Sequence, residues 1–311
     1  MSSPFRSGFV SLVGRPNVGK STLVNQMVGT KVSIVSARPQ TTRTQVRGVR
    51  TTADSQIVLL DTPGIHKPRT LLGARCNERS VATLDEVDVV CQLIEANAPV
   101  GPGDRFIAGL VARVDTPKIL VVNKVDIASR DDIGEQLVRA SAELGDFDAY
   151  VPISARTGAG VEVLLEQLLA HLPEGPHYYP DGVVSDQPET TLVAELLREQ
   201  LLRIARDELP HSIAVTAESL DDDLDEPSAE EDVGNSDESD PVLRYRAIVR
   251  VERDSQKGIV IGKGGAVIRD AGTAARKELE RLFGARVYLE TMVRVDKEWQ
   301  RRAHALDRLG L

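Results

Sequence analysis

Residues Gly14 to Thr22 read GRPNVGKST and fit the spacing G-x-x-x-x-G-K-[ST], with the apolar run FVSLVG before them and a helix signal after. In that setting the backbone N–H groups of Asn17, Val18, Gly19, Lys20 and Ser21 point into one concavity. With the helix N-terminus behind them they suit the α- and β-phosphates of a nucleotide. Lys20 is spaced to reach the β- and γ-phosphates, Ser21 closes the motif with a hydroxyl that is a hard donor suited to Mg2+, and Thr22 just after it is a further nucleotide-contacting position.

Three further stretches extend this chemistry. DTPG, Asp61 to Gly64, follows the apolar run QIVLL and supplies a carboxylate for metal-bound water and, at Gly64, an amide for a γ-phosphate. That contact disappears on hydrolysis, so the segment reads as a switch. Between the two motifs RPQTTRTQ carries Thr41 and Thr42, of which Thr42 is expected to close over the metal. The metal set is thus Ser21, Thr42 and Asp61, and the catalytic set Lys20, Thr42 and Gly64. NKVD, Asn123 to Asp126, selects the base: a carboxylate only accepts hydrogen bonds, so Asp126 pairs with the N1–H and amine of guanine and is left unpaired by adenine. A site of that kind rejects the wrong base by roughly 10⁴ to 10⁵. Asn123 braces the loop, Lys124 lies over the base, and Ser154, Ala155 and Arg156 offer a backbone amide to the guanine oxygen.

A second glycine turn, VIGKGGAVIRDAG, runs from Val260 to Gly272. Gly262, Lys263, Gly264 and Gly265 leave the backbone bare enough to press on a nucleic-acid backbone, as a K-homology module does when it clamps about four nucleotides. Bases are expected beside Ile259, Ile261 and Ile268, with Lys257, Gly258 and Arg269 flanking them.

These motifs need scaffolds that differ. Over the first 170 or so residues, β-branched runs alternate with helix-period segments, which predicts a mostly parallel sheet with helices on both faces and the ligand crevice at the strand ends. Strands are expected at FVSLVG, QIVLLDT, VDVVCQLIEA, KILVVNK and YVPIS, and helices at STLVNQMVG, DRFIAGLVARV, DIGEQLVRASAELG and GVEVLLEQLLAHL. Residues 1–172 form the first domain, Pro- and Gly-rich 173–189 a linker, and 190–311 an α+β domain of order α-β-β-α-α-β-α, closed by a helix over DKEWQRRAHALDRLG.

At 311 residues two domains are the natural division. The apolar fraction is 41%, with no run near the roughly 20 apolar residues of a membrane span and no signal-peptide pattern, so a cytoplasmic setting is expected. Cys76 and Cys91 read as reduced thiols packed like small apolar residues. The net charge of -9 reflects an acidic insertion at 218–240 that contains no Lys or Arg, whereas the chain turns basic from Pro241 onward, so a polyanion partner stays open.

In order and spacing the four nucleotide motifs resemble those of Era-type GTPases, and GIVIGKGG with ELPHSIAV and DKEW resembles that family's C-terminal type II K-homology domain. The resemblance runs from Phe9 to Leu309. It implies a monomeric, Mg2+-dependent GTPase that binds GTP and GDP, contacts the 3′ end of 16S ribosomal RNA and acts in assembly of the 30S subunit. A rival expectation is a GTPase regulator of growth held peripherally at the cell membrane by its basic C-terminal helix. The resemblance alone adds Asn17 to the catalytic set, as a K+ contact, and marks Ile65 as standing where many GTPases carry a water-orienting glutamine. Arg43 and Arg47 are expected on a solvated loop, and no other arginine finger in cis is evident.

Overall fold

The computed structural model describes residues 4–38, 41–204, 212–220 and 242–311. The chain divides into two units, Met1–Gln187 with Gly310–Leu311, and Pro188–Leu309.

The first unit runs β1 (Arg6–Gly14), α1 (Lys20–Val28), β2 (Val46–Thr51), β3 (Ser55–Asp61), α2 (Leu71–Ala82), β4 (Val89–Glu95), α3 (Pro102–Val111), β5 (Lys118–Asn123), α4 (Arg130–Leu144), β6 (Ala149–Pro152) and α5 (Val161–His171). Its six-stranded sheet has the order β2-β3-β1-β4-β5-β6, parallel throughout except that β2 runs antiparallel to β3. Helices cover both faces, so every residue of β3 is buried and the central strands read as unbroken apolar runs instead of alternating ones. Strand order reverses around β1, where β3 and β4 flank it on opposite sides. The carboxyl ends Gly14, Asp61 and Asn123 therefore open on one crevice.

Two elements lie outside the predicted set. β2, VRGVRT, is a short strand at the sheet edge whose arginines and glycine blur the period-two pattern. In α2, LLGARCNERSVA, the buried stripe is only Leu72, Gly73, Cys76 and Ser80, too small and polar to stand out as an apolar period.

The expected linker over 173–189 is corrected. Most of it is folded onto the first unit: Pro173 O accepts from Ser7 N, Val184 O from Val49 N, and Gln56 Oε1 from the amides of Tyr178 and Tyr179. A Pro- and Gly-rich composition reports the lack of a regular repeat; it does not report the lack of fixed partners.

The second unit runs α6 (Glu189–Ile204), β7 (Ala214–Ser219), β8 (Val242–Val251), α7 (Asp254–Ile261), α8 (Ala266–Phe283), β9 (Arg286–Val295) and α9 (Ala303–Arg308). The sheet is ordered β7-β8-β9, with β7 antiparallel and β9 parallel to β8. Leu197, Leu201, Ile213, Val249, Val260, Ala271 and Ala275 form its core. Residues 205–211 and 221–241 lie outside the description, as do the end of the expected first helix and nearly all of the acidic insertion.

The single closing helix expected over residues 296–310 is corrected. Glu298 takes a left-handed conformation at φ 52, and Trp299 then turns into the interior, where its indole N–H donates to Ser212 O. Arg302 and Arg308 both fold back on Asp296. What remains is a short 3-10 turn followed by the six residues of α9.

Candidate functional site

Lys20 begins α1, and the residue before it sits at φ 102, a region that only glycine enters freely. A Cβ on Gly19 would also lie 2.2 Å from Asn123 Nδ2, so the loop can approach the NKVD strand end only because Gly19 has none. Lys20 is 6% exposed, and its Nζ donates to the carbonyls of Gly14 and Arg15 at 3.2 Å each. Burial pulls its pKa down to about 8, against the attraction of Asp61.

A cleft of about 600 Å³ opens here, lined among others by Asn17, Lys20, Ser21, Thr42, Gly64 and Asp126. Gly19, Thr22, Asn123, Lys124, Ala155 and Arg156 also reach its wall. Four of the sequence-selected residues stand behind that wall. Gly14 ends β1, Val18 packs in the core and offers its carbonyl to Asn123 Nδ2 at 2.7 Å, Ser154 is buried under Asp126, and Asp61 lies beneath the hydroxyl cluster.

At that cluster Ser21 Oγ and Thr42 Oγ1 are 2.9 Å apart, and Thr42 Oγ1 donates to Asp61 Oδ2 at 3.4 Å. Thr41 turns away to Arg38 O. Ser33, absent from the sequence reading, donates to the same Asp61 oxygen at 2.5 Å. Asp61 Oδ1 is buried without a hydrogen-bond partner, and burial raises this carboxyl's pKa despite the donors around Oδ2. A carboxylate with one orphaned oxygen, its other oxygen meeting the Ser21–Thr42 hydroxyl pair, is a hard oxygen set that fits Mg2+, which supplies electrostatic stabilisation of phosphate charge when bound.

On the base side Asn123 Oδ1 accepts from Ala155 N at 2.9 Å, so one side chain joins the phosphate loop to the Ser154–Arg156 loop. Asp126 accepts from Ser154 Oγ at 2.6 Å and pairs with Arg156; the Ser154 bond leads in holding its pKa low, which keeps it an acceptor. Lys124 is fixed at φ 70 by the turn, and its Nζ pairs with Glu95, the last residue of β4, at 2.6 Å. Glu95 carries no motif signal, because only the sheet order brings β4 beside β5.

Past Gly64 the chain is gripped by α2. Asn77 Nδ2 donates to His66 O at 2.6 Å, its Oδ1 accepts from His66 N at 3.3 Å, and Ser80 Oγ donates to Pro63 O at 2.8 Å. Ile65 is buried in the core. The expectation is corrected for Arg43, which is 5% exposed and packed; Arg47 is solvent-exposed as expected, but on strand β2 instead of a loop, where it pairs with Asp186.

In the second unit the glycine turn joins α7 to α8, with Gly262, Gly264 and Gly265 at φ 74, 60 and 75. Three positive φ angles in four residues need glycine, and they leave Lys263 exposed at the tip ahead of the α8 N-terminus. Ile259 beside it is 58% exposed, Ile261 half-buried, and Ile268 packs against the core. Lys257 is half-buried, and Gly258 and Arg269 are exposed on the flanking helices.

Residues 9–124 match the family described as 50S ribosome-binding GTPase, and residues 229–300 the KH domain. The chain is 50% identical over 309 residues to GTPase Era of Mycolicibacterium paratuberculosis, spanning 98% of this chain and 99% of the relative. The chain belongs to the Era GTPase family. GTPase Era of Nocardioides sp. is 51% identical over 310 residues, 98% of this chain and 96% of the relative. Among solved structures, Era in complex with MgGDPNP and nucleotides 1506–1542 of 16S ribosomal RNA has a TM-score of 0.89 at 35% identity, covering 98% of this chain and 99% of that one. A variant of Aquifex aeolicus Era bound to GDP·AlF4− gives the same TM-score, identity and coverage. In this family member the first unit carries the P-loop GTPase domain and the second the KH domain. Among the described residues no helix is long and apolar enough to cross a membrane.

Proposed function

We propose that the chain is a GTP-hydrolysing switch that binds the single-stranded 3′ end of 16S ribosomal RNA through its glycine turn and serves assembly of the 30S subunit in the cytoplasm. The observation that carries the nucleotide half is the meeting of Lys20, the Ser21–Thr42–Asp61 cluster and Asp126 around one cleft at the carboxyl ends of the sheet. Lys20 and the amides of residues 17–21 hold the phosphates. Ser21, Thr42 and, through water, Asp61 hold Mg2+; Thr42 and Gly64 sense the γ-phosphate; Asp126 reads guanine. Asn17 spends its Nδ2 on Ala37 O, which leaves Oδ1 as an acceptor for K+. Ile65 cannot orient water, so hydrolysis by the free protein is slow and RNA or the ribosomal particle accelerates it.

The exposed Lys263 tip and the bare GKGG backbone support the RNA half, together with a relative crystallised on that RNA segment. The membrane reading called for a continuous basic C-terminal helix, and the short 3-10 turn and α9 take its place.

GTP turnover, measured in K+ and Na+ buffers with and without a short RNA from the 16S 3′ end, tests the proposal. Stimulation by that RNA, higher turnover in K+, loss of turnover in Lys20→Ala and at least about tenfold weaker RNA binding in Gly264→Asp are expected. A preference for ATP, or no association with the RNA, overturns it.

A further inference from the structure

One positioning device lies outside the nucleotide motifs. Asn25, on α1 six residues from the last glycine of the phosphate loop, spends its whole carboxamide on one stretch of chain. Its Oδ1 accepts from Val32 N and Ser33 N at 2.9 Å each, and its Nδ2 donates to Ser33 O at 2.7 Å. Ser33 is thereby seated from its backbone on both sides. It is 3% exposed, and its hydroxyl donates to Asp61 Oδ2 at 2.5 Å, closer than Thr42 at 3.4 Å. The other oxygen, Oδ1, is buried and has no donor.

We propose that Ser33, seated by Asn25, is a positioning residue for Asp61: it ties the carboxylate through Oδ2, the oxygen that also meets Thr42, to α1, fixes its orientation beside the Ser21–Thr42 hydroxyls, and so sets how tightly Mg2+ joins the bound nucleotide. A carboxylate gripped by an anchored donor loses rotational freedom, and each oxygen keeps lone pairs that a single donor does not fill, so the group stays able to accept from metal-bound water. Thr42 does not serve this purpose alone. It belongs to the segment that responds to the γ-phosphate, whereas Ser33 is fastened to the helix that starts at Lys20, so Asp61 stays aimed in the GDP state too.

This inference rests on the proposed nucleotide site, and the experiment separates the two. GDP affinity of the full chain is titrated against Mg2+ with a fluorescent GDP, then repeated in EDTA, with thermal melting to verify folding. In Ser33→Ala the Mg2+ concentration for half-maximal effect rises about 10- to 100-fold while GDP affinity in EDTA stays within about twofold of the parent. Asn25→Asp keeps the acceptors for the two amides but loses the donor to Ser33 O, and shifts the Mg2+ dependence in the same direction by less. It carries the test if Ser33→Ala does not fold. An unchanged Mg2+ dependence in both folded variants overturns the inference, as does an equal loss of affinity in EDTA. A parent whose GDP affinity ignores Mg2+ overturns the nucleotide-site reading itself.

Discussion

Lys20 illustrates how one residue couples proton and ligand. Its pKa in the folded, nucleotide-free chain is about 8, below the ordinary 10.5, because it is buried. Below pH 8 it is charged in both folded and unfolded chains and its burial cost is constant. Between about pH 8 and 10.5 the unfolded chain holds more protons, so the stability of the nucleotide-free protein rises with pH across that window. Phosphate favours the charged amine, so binding must restore the proton. We predict that GDP binding takes up roughly half a proton at pH 8 and weakens as pH climbs further. Calorimetry in two buffers of different ionisation enthalpy measures this uptake, and Lys20→Ala should remove it. Asp126 sets the other end of the site. Asp126→Asn exchanges an acceptor for a donor opposite the guanine amine, so GTP affinity should fall by about 100-fold or more while xanthine nucleotide, with an oxygen there, gains. Competition between the two nucleotides reads the outcome.

At the scale of elements, α2 matters more than its faint pattern suggests. Through Asn77 and Ser80 it fixes the main chain on both sides of Gly64, and it does so from a helix whose buried stripe contains mostly small residues. Asn77→Ala should leave KM for GTP within about twofold and lower kcat about tenfold, since a loosened switch misplaces groups needed only at the transition state. Steady-state kinetics decides it; a change confined to KM would mean α2 serves binding alone. Gly64 presses on the phosphate loop, where an added Cβ would sit 2.6 Å from Pro16 N. Gly64→Ala should therefore bind GDP but fail to close around GTP, which comparative titration of the two nucleotides would detect.

For the whole molecule, the acidic net charge conceals a basic glycine-turn surface, and the nucleotide cleft lies wholly within the first unit. Saturation with Mg·GDP at 100 times its dissociation constant should stabilise the chain by about 2.7 kcal/mol, and Lys20→Ala should forfeit most of that in a thermal melt. The glycine spacings, the NKVD carboxylate and the alternation of the central strands with their helices could be read along the chain, though not β2 or α2, because their signals need particular residue types at short separations. Ser33, Asn77 and Glu95 could not, since each acts on a partner 11 to 29 residues away that no local period announces. Nor could the break at Glu298 or the docking of residues 173–187 be anticipated, because those outcomes depend on what a buried tryptophan or a free backbone amide meets in space. Local chemistry was written in residue type and spacing; the aim of each carboxylate, amide and switch came from the packing of elements distant in the chain.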